Sequence, residues 1–262
     1  MTRFGKTIHD FANFNTEIAK SNVTGHTCVY KFGHDPDVDA ADGYQDLVVG
    51  GTYAGFTAVA AQTLDVISDN DEDNGAGTDT GALTIVVEGL DVNYLEVSET
   101  IILNGLTNVT PSANSYIRVN RAYVATAGST GSNVGTITID QTASNIDMAV
   151  IEPTYGQTMQ ACYTVPANKT AYLTQWATSS NAAIGASLTH VDARVNTREF
   201  GTGAWRVREQ YAMLSHGTTS QTHEYVIPIA LVSAKADIKL TGQTTTNNTT
   251  IEGQFGILLI DD

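Results

Sequence analysis

Between residues 28 and 260 the chain is cut into short runs in which apolar, often β-branched residues alternate with polar ones. Each run closes on Gly, Asn, Asp, Ser or Thr. A period of two buries one face of a strand and wets the other, and turn residues at this frequency leave no room for long helices. Residues 82–87, 116–124 and 135–139 are typical runs. The pattern predicts an all-β chain of two antiparallel β-sandwich domains, the C-terminal one jelly-roll-like, with a short N-terminal amphipathic helix.

That helix is expected over 7–20, where Ile8, Phe11, Phe14 and Ile18 recur at three- and four-residue spacing, with Asp10 in the first turn and Lys20 near the end. It packs on its own sandwich or docks on a neighbouring copy as an assembly arm, which makes Phe11, Phe14 and Ile18 candidate assembly residues. A length of 262 residues with 42% hydrophobic content suits two cores. We expect residues 1–60 to hold the helix and attachment loops as part of the first domain and 61–145 the first sandwich, with 28–33 among its strands. The second domain, 146–262, then carries eight strand candidates, beginning at 146–151. The polar segment 141–145 is the expected boundary.

Lys and Arg number 13 against 28 Asp and Glu, a formal charge of −15. Such a balance opposes a nucleic-acid partner, whose phosphates need clustered cations. Arg194, Arg198, Arg206 and Arg208 stand out against this background, as exposed ion pairs with Glu199 and Glu209 or as a patch that docks an acidic face of a neighbouring copy. No run of about 18 apolar residues is present, so a membrane partner is not expected. The N-terminus has no apolar segment of the secretory kind, which points to synthesis in a bacterial cytoplasm. Cys28 and Cys162 are read as buried free thiols. The Asn-x-Thr triplets at Asn22, Asn108, Asn168, Asn247 and Asn248 are read as turn chemistry.

Catalytic patterns are missing. The six histidines form no HxH or HExxH pair, no Gly-x-Ser-x-Gly elbow occurs, and the glycine-rich segment 128–135 precedes no helix that would aim a dipole at a phosphate. No catalytic or cofactor-binding residue is assigned. Residues 69–79 place Asp69, Asp71 and Asp73 at alternate positions of a loop, the spacing with which hard cations collect oxygen ligands, so calcium is a candidate there. The loop departs from an EF-hand because Asn74 replaces the turn glycine and Thr80 stands where the closing Glu belongs. The aromatics, Trp176, Trp205, Tyr172, Tyr211 and Tyr225 among them, alternate within strands and read as core, or as a stacking platform for sugar rings.

Residues 17–26 with 30–33, 89–94 through 98–105, 118–124, 157–173 and the ending from 247 resemble structural (virion) proteins of tailed bacteriophages from aquatic bacteria, over nearly the whole chain. The resemblance brings no catalytic or ligand residues. It implies a non-enzymatic virion component in many copies: a capsid-associated decoration, cement or head-fibre protein. The implied partners are other copies of itself, as a trimer or higher, and the major capsid or other virion proteins. The alternative is a tail-associated receptor-binding or carbohydrate-binding protein, with a host-surface glycan as a candidate partner.

Overall fold

In a computed structural model that describes residues 14–109, 113–181, 189–215, 218–224 and 230–262, the chain opens with helix α1 (Phe14–Ala19) and strands β1 (His26–Val38) and β2 (Gln45–Asp46). It continues through β3 (Leu64–Ser68), β4 (Ala82–Leu90), β5 (Glu96–Ile102), β6 (Arg118–Ala127), β7 (Ile137–Gln141) and β8 (Asp147–Ile151). The second half holds β9 (Cys162–Thr164), β10 (Lys169–Asn181), β11 (Thr189–Arg198) and β12 (Trp205–Ser215), then β13 (Thr218–Glu224), β14 (Ala230–Val232), β15 (Asp237–Thr244) and β16 (Thr249–Asp261). Every ladder is antiparallel.

The larger sandwich is a ribbon folded over on itself. Its outermost strands, β1 and β16, pair from His26–Ile260 to Val38–Thr249. Inside them β2 and β9 pair with β15, β10 pairs with β13 and β14, and β11 pairs with β12. Cross-pairing of β10 with β16 and of β11 with β15 completes two sheets, β1–β16–β10–β13/β14 and β12–β11–β15–β2/β9. This nesting of first with last strand, inward to a central hairpin, is the jelly roll. Its core gathers Val38, Leu47, Leu173, Val195, Ile238, Leu240, Ile251, Phe255 and Ile257. Trp176 lies there, stacked on Tyr211 at 4.6 Å and 15°, with its indole N–H donating to Glu209 at 2.9 Å.

The smaller sandwich packs β3–β7–β8 against β5–β4–β6 over Leu64, Val66, Ile85, Val87, Leu90, Ile137, Ile139, Met148 and Ile151. It is inserted into the larger one. β2 and β9 lie along one line of β15, opposite Thr241–Gly242 and Asp237–Lys239, and together form a single jelly-roll strand interrupted after Leu47. At the break Leu240 holds both limbs: its carbonyl accepts from Leu47 N–H and its N–H donates to Ala161 C=O, each at 3.0 Å. Leu47 C=O accepts from Ala161 N–H at 3.0 Å, and Val48 bridges Gln160, so the insert leaves on a two-stranded stem.

The sheets confirm the all-β expectation and shift its division. Residues 28–33, expected in the first sandwich, belong to β1 and pair with β16; residues 146–151, expected to open the second domain, pair as β8 with β7. The jelly roll thus takes its first strand from the segment placed in 1–60 and is discontinuous. The reason is that pairing partners may be far apart in sequence while the alternating pattern of each strand looks the same. Of the expected helix, α1 covers the last part, with Ile18 buried; Phe11 lies outside the described residues. Cys28 is exposed and only Cys162 buried, a correction to the paired burial expected of them; both are free. Asn168 and Asn248 sit at φ of 63° and 55°, the turn role expected of them.

Gly33 of β1 passes over the break, where a Cβ would stand 2.1 Å from Leu47 O and 2.3 Å from Ala161 N. Both obstacles are backbone and cannot rotate away. Gly33→Ala is therefore expected to lower stability by about 1–3 kcal/mol or more, read as a drop in the urea midpoint, with Gly43→Ala, a left-handed but sterically open position, as the surface comparison.

Candidate functional site at the seam of the two sandwiches

Leaving the stem, the chain crosses the outer face of the β12–β11–β15 sheet and lays Tyr53 and Phe56 on it. Asp46 fixes the start of this crossing: its carboxylate accepts from Tyr53 N–H at 3.0 Å and pairs with Lys239 at 2.5 Å. Tyr53 donates its hydroxyl to Val119 C=O at 2.7 Å, and burial pushes its phenol well above the usual range. Phe56 meets Tyr53 and Trp205 edge to face at 4.6 and 5.1 Å. From β6 the Asn120 amide exchanges two bonds with the Thr164 backbone, at 3.0 and 2.9 Å, and the buried Lys31 ammonium donates to Asn120 C=O. Burial lowers Lys31 to about 8.

Asp237 is the hub. It is 5% exposed and takes Arg198 Nε at 2.9 Å and Nη2 at 2.6 Å on one oxygen. Its other oxygen takes the Thr164 hydroxyl at 2.6 Å and faces Arg118 Nε at 3.6 Å. Arg118 spends Nη1 on Ala58 C=O and Ile117 C=O at 3.1 and 2.8 Å, and Arg198 reaches Phe56 C=O at 3.1 Å. Beside this hub opens a cleft of about 290 Å³ lined by Tyr94, Arg118, Arg198, Phe200, Lys235 and Asp237. Tyr94 and Phe200 meet edge to face at 5.3 Å, and the Lys235 ammonium sits 5.6 and 5.3 Å from their centroids. A mixed-charge groove of about 440 Å³ between β1 and β4–β5 holds Cys28, Lys31, Glu88, Glu96 and Arg121.

The structure scatters the residues singled out from sequence. Asp73 is fully buried, and its carboxylate accepts from Ala82 N–H, Val134 N–H and Gly135 N–H, each at 2.8 Å, and from the Ser68 hydroxyl at 2.7 Å. Asp69 is engaged by Thr136 N–H at 2.7 Å, and Asp71 is exposed. Among the described residues no three His, Cys, Asp or Glu side chains are grouped to hold a metal. Arg198 serves the seam, Arg208 bonds Thr197 at 2.6 Å and Glu199 at 3.4 Å, Arg194 bonds Gln210 at 2.8 Å and lies 3.5 Å over Tyr44, and Arg206 is exposed. All four lie on the paired strands β11 and β12, each with different partners. Ile18 is buried, and Phe14 is 42% exposed, edge-on to His26. Arg118, Lys235 and Asp237 escaped sequence reading; the available signal was the alternation of Lys235, Asp237 and Lys239 with Ala236, Ile238 and Leu240, which puts three charges on one face of a strand.

On the outer face of the other sheet one cross-strand row reads Cys28, Leu258, Tyr172, Leu231. Leu231 is 55% exposed, and Tyr30, two residues along β1 from Cys28, is 60% exposed. No helix among the described residues is long and apolar enough to cross a membrane.

No protein-family model and no curated protein sequence matches the chain. Solved structures with a weak likeness include the cowpea mosaic virus top component, naturally occurring empty particles, at 7% identity and TM-score 0.22 over 78% of this chain and 82% of that one. Infectious bursal disease virus Gt strain follows at 11% and 0.23 over 94% and 77%. The N-terminal CBM22-1-CBM22-2 tandem domain from Paenibacillus barcinonensis Xyn10C stands at 10% and 0.21 over 92% and 94%. At these values the fold assignment rests on the strand pairing of this chain.

Two expectations follow from the buried and aligned carboxylates. Asp73→Asn turns an acceptor-only group toward main-chain donors and is expected to cost about 2–4 kcal/mol, by urea denaturation, with the parent's melting temperature equal in calcium and in chelator. Asp65, Asp140 and Asp147 face one another across β3, β7 and β8. Burial first, then the neighbouring Asp147 and Asp65, raises Asp140 from 3.8 to about 6. The unfolded chain therefore releases this proton before the folded one does, so the group costs nothing below about pH 3.8 and destabilises increasingly up to about pH 6. Asp140→Asn should remove that slope and raise the melting temperature at pH 7.5 by about 2–4 °C, allowing for solvent screening.

Proposed function

We infer that the protein is a non-enzymatic structural component of a virus particle, a capsid-associated decoration, cement or head-fibre protein of a tailed bacteriophage from an aquatic bacterium, assembled in many copies. The observation that carries the reading is the apolar row Cys28, Leu258, Tyr172, Leu231 on the outside of a rigid jelly-roll sheet. A hydrogen-bonded sheet face bearing the exposed Leu231 and Tyr30 beside the half-buried Tyr172 and Leu258 suits contact with a second copy or a particle surface, because its apolar area is gained without ordering a loop. The jelly roll, an architecture shared by capsid and lectin domains, adds fold-level analogy. Trimers or higher rings, joined to the major capsid protein, are the assemblies we propose, with the virion as location.

A second reading, a tail-associated protein that binds a host-surface carbohydrate, is favoured by the cleft where Tyr94 and Phe200 meet beside Arg198 and Lys235. Copy number separates the two. Gel densitometry of purified particles against their major capsid protein is expected to give on the order of hundreds of copies, as repetition by closed symmetry requires. A few to tens of copies move the protein to the tail, and absence from particles overturns both. Light scattering of the isolated protein is expected to give a trimer or larger, and Leu231→Asp with Tyr172→Asp to give the monomer.

A further inference from the structure

We propose that the seam cleft is a binding site for a carboxylated sugar, a hexuronate unit of an acidic glycan. The proposal goes beyond the particle reading and holds wherever in a virion the protein sits. In a chain of net charge −15 the cleft brings together Arg118, Arg198 and Lys235. The acidic residues lining it are both spent: Asp237 is shared between Arg118 and Arg198, and Glu199 faces Arg208 at 3.4 Å. Lys235 meets no carboxylate within ion-pair distance among the described residues; its ammonium rests on two aromatic rings instead. A cation held on ring faces is stabilised by about 0.5–1 kcal/mol, less than a hydrogen-bonded carboxylate offers, so an incoming anion can recruit it.

A second observation points the same way. Arg118 has only 6% of its side chain exposed, lines the cleft, and its Nε has no hydrogen-bond partner. Facing Asp237 at 3.6 Å, that Nε has an ion-pair partner without a hydrogen bond, and an acceptor entering the cleft would supply one. Beyond charge, the walls are those of a ring-binding site. Phe200 is 57% exposed, so its ring, edge-on to Tyr94 and beside Lys235, keeps surface open to an incoming sugar. The volume of about 290 Å³ lies at the small end of ligand pockets, about 300–1,000 Å³, and suits one pyranose ring rather than a length of peptide. An extended peptide would pair with the main chain of a sheet edge, whereas this cleft offers the rings of Tyr94 and Phe200 and the cations of Arg118, Arg198 and Lys235.

The test is calorimetry and saturation-transfer NMR on the full chain, with trigalacturonate as probe and trigalactose as its neutral counterpart. Binding of trigalacturonate is expected to be saturable and to weaken severalfold when salt is raised to about 0.5 M, and trigalactose to bind about tenfold more weakly or not at all. Lys235→Gln should weaken trigalacturonate about tenfold, and Phe200→Ala, at an exposed rim position, should weaken it severalfold with an unchanged melting temperature. Equal binding of the two sugars, parent-like binding by Lys235→Gln, or no binding at millimolar probe overturns the proposal. So does equally tight binding of hexa-aspartate, which would make the cleft a site for acidic peptide. Each result is independent of copy number on particles.

Discussion

The two main-chain groups of Leu240 hold the molecule together. One carbonyl and one N–H receive the outgoing and the returning limb of a strand that an entire second sandwich interrupts. Everything at the seam hangs from that junction. Asp46, one residue before the break, reaches Lys239 on one side of Leu240 and aims Tyr53 across the sheet; Thr164, at the end of the returning limb, meets Asn120 and Asp237. Gly33 is required there because backbone, not side chain, fills the space above it.

The seam buries charge in a way that specifies geometry more than it adds stability. Desolvating Arg118, Arg198 and Asp237 costs several kcal/mol per ion, and their mutual attraction returns that only while every donor is met. The arrangement is nearly closed: Ala58, Ile117 and Phe56 carbonyls, the Thr164 hydroxyl and both carboxylate oxygens are all engaged. The sandwiches are consequently joined in one relative orientation, since sliding either would strand a buried ion. The one cation outside this closure, Lys235, is also the one at the mouth.

Strand content was readable because alternation is a local property, and so was the jelly roll, whose eight-strand count held although 28–33 and 146–151 each join the sandwich opposite to the one expected. Alternation alone does not say which sandwich residues 26–38 or 147–151 join; the partner does, Ile257 far along the chain for the first and nearby Ile139 for the second. Asp69, Asp71 and Asp73 show the same limit at the level of a side chain. Spacing reveals three carboxylates, and only the turn reveals that Asp73 points inward to four donors. Cys28 reads as a core thiol because free cysteine is among the most buried residue types, yet in β1 it pairs with Leu258 and is exposed. The cleft was invisible because Tyr94, Arg118, Phe200 and Lys235 come from four separate stretches of chain.

The interrupted strand also imposes an order on folding. The inserted sandwich is one continuous segment with its own core; β4–β5 and β7–β8 are local pairings, and β3–β7 joins its two ends, Leu64 to Gln141. The jelly roll must unite β1 with β16 and set Leu47 against Ala161 across the insert. Closing a flexible loop of the insert's length would cost roughly 4 kcal/mol in chain entropy. A folded insert brings Val48 and Gln160 to adjacent positions beforehand and lifts that cost from the jelly roll. The small domain thus acts as an internal template, and a lesion in its core would delay closure of a sandwich whose own residues are intact.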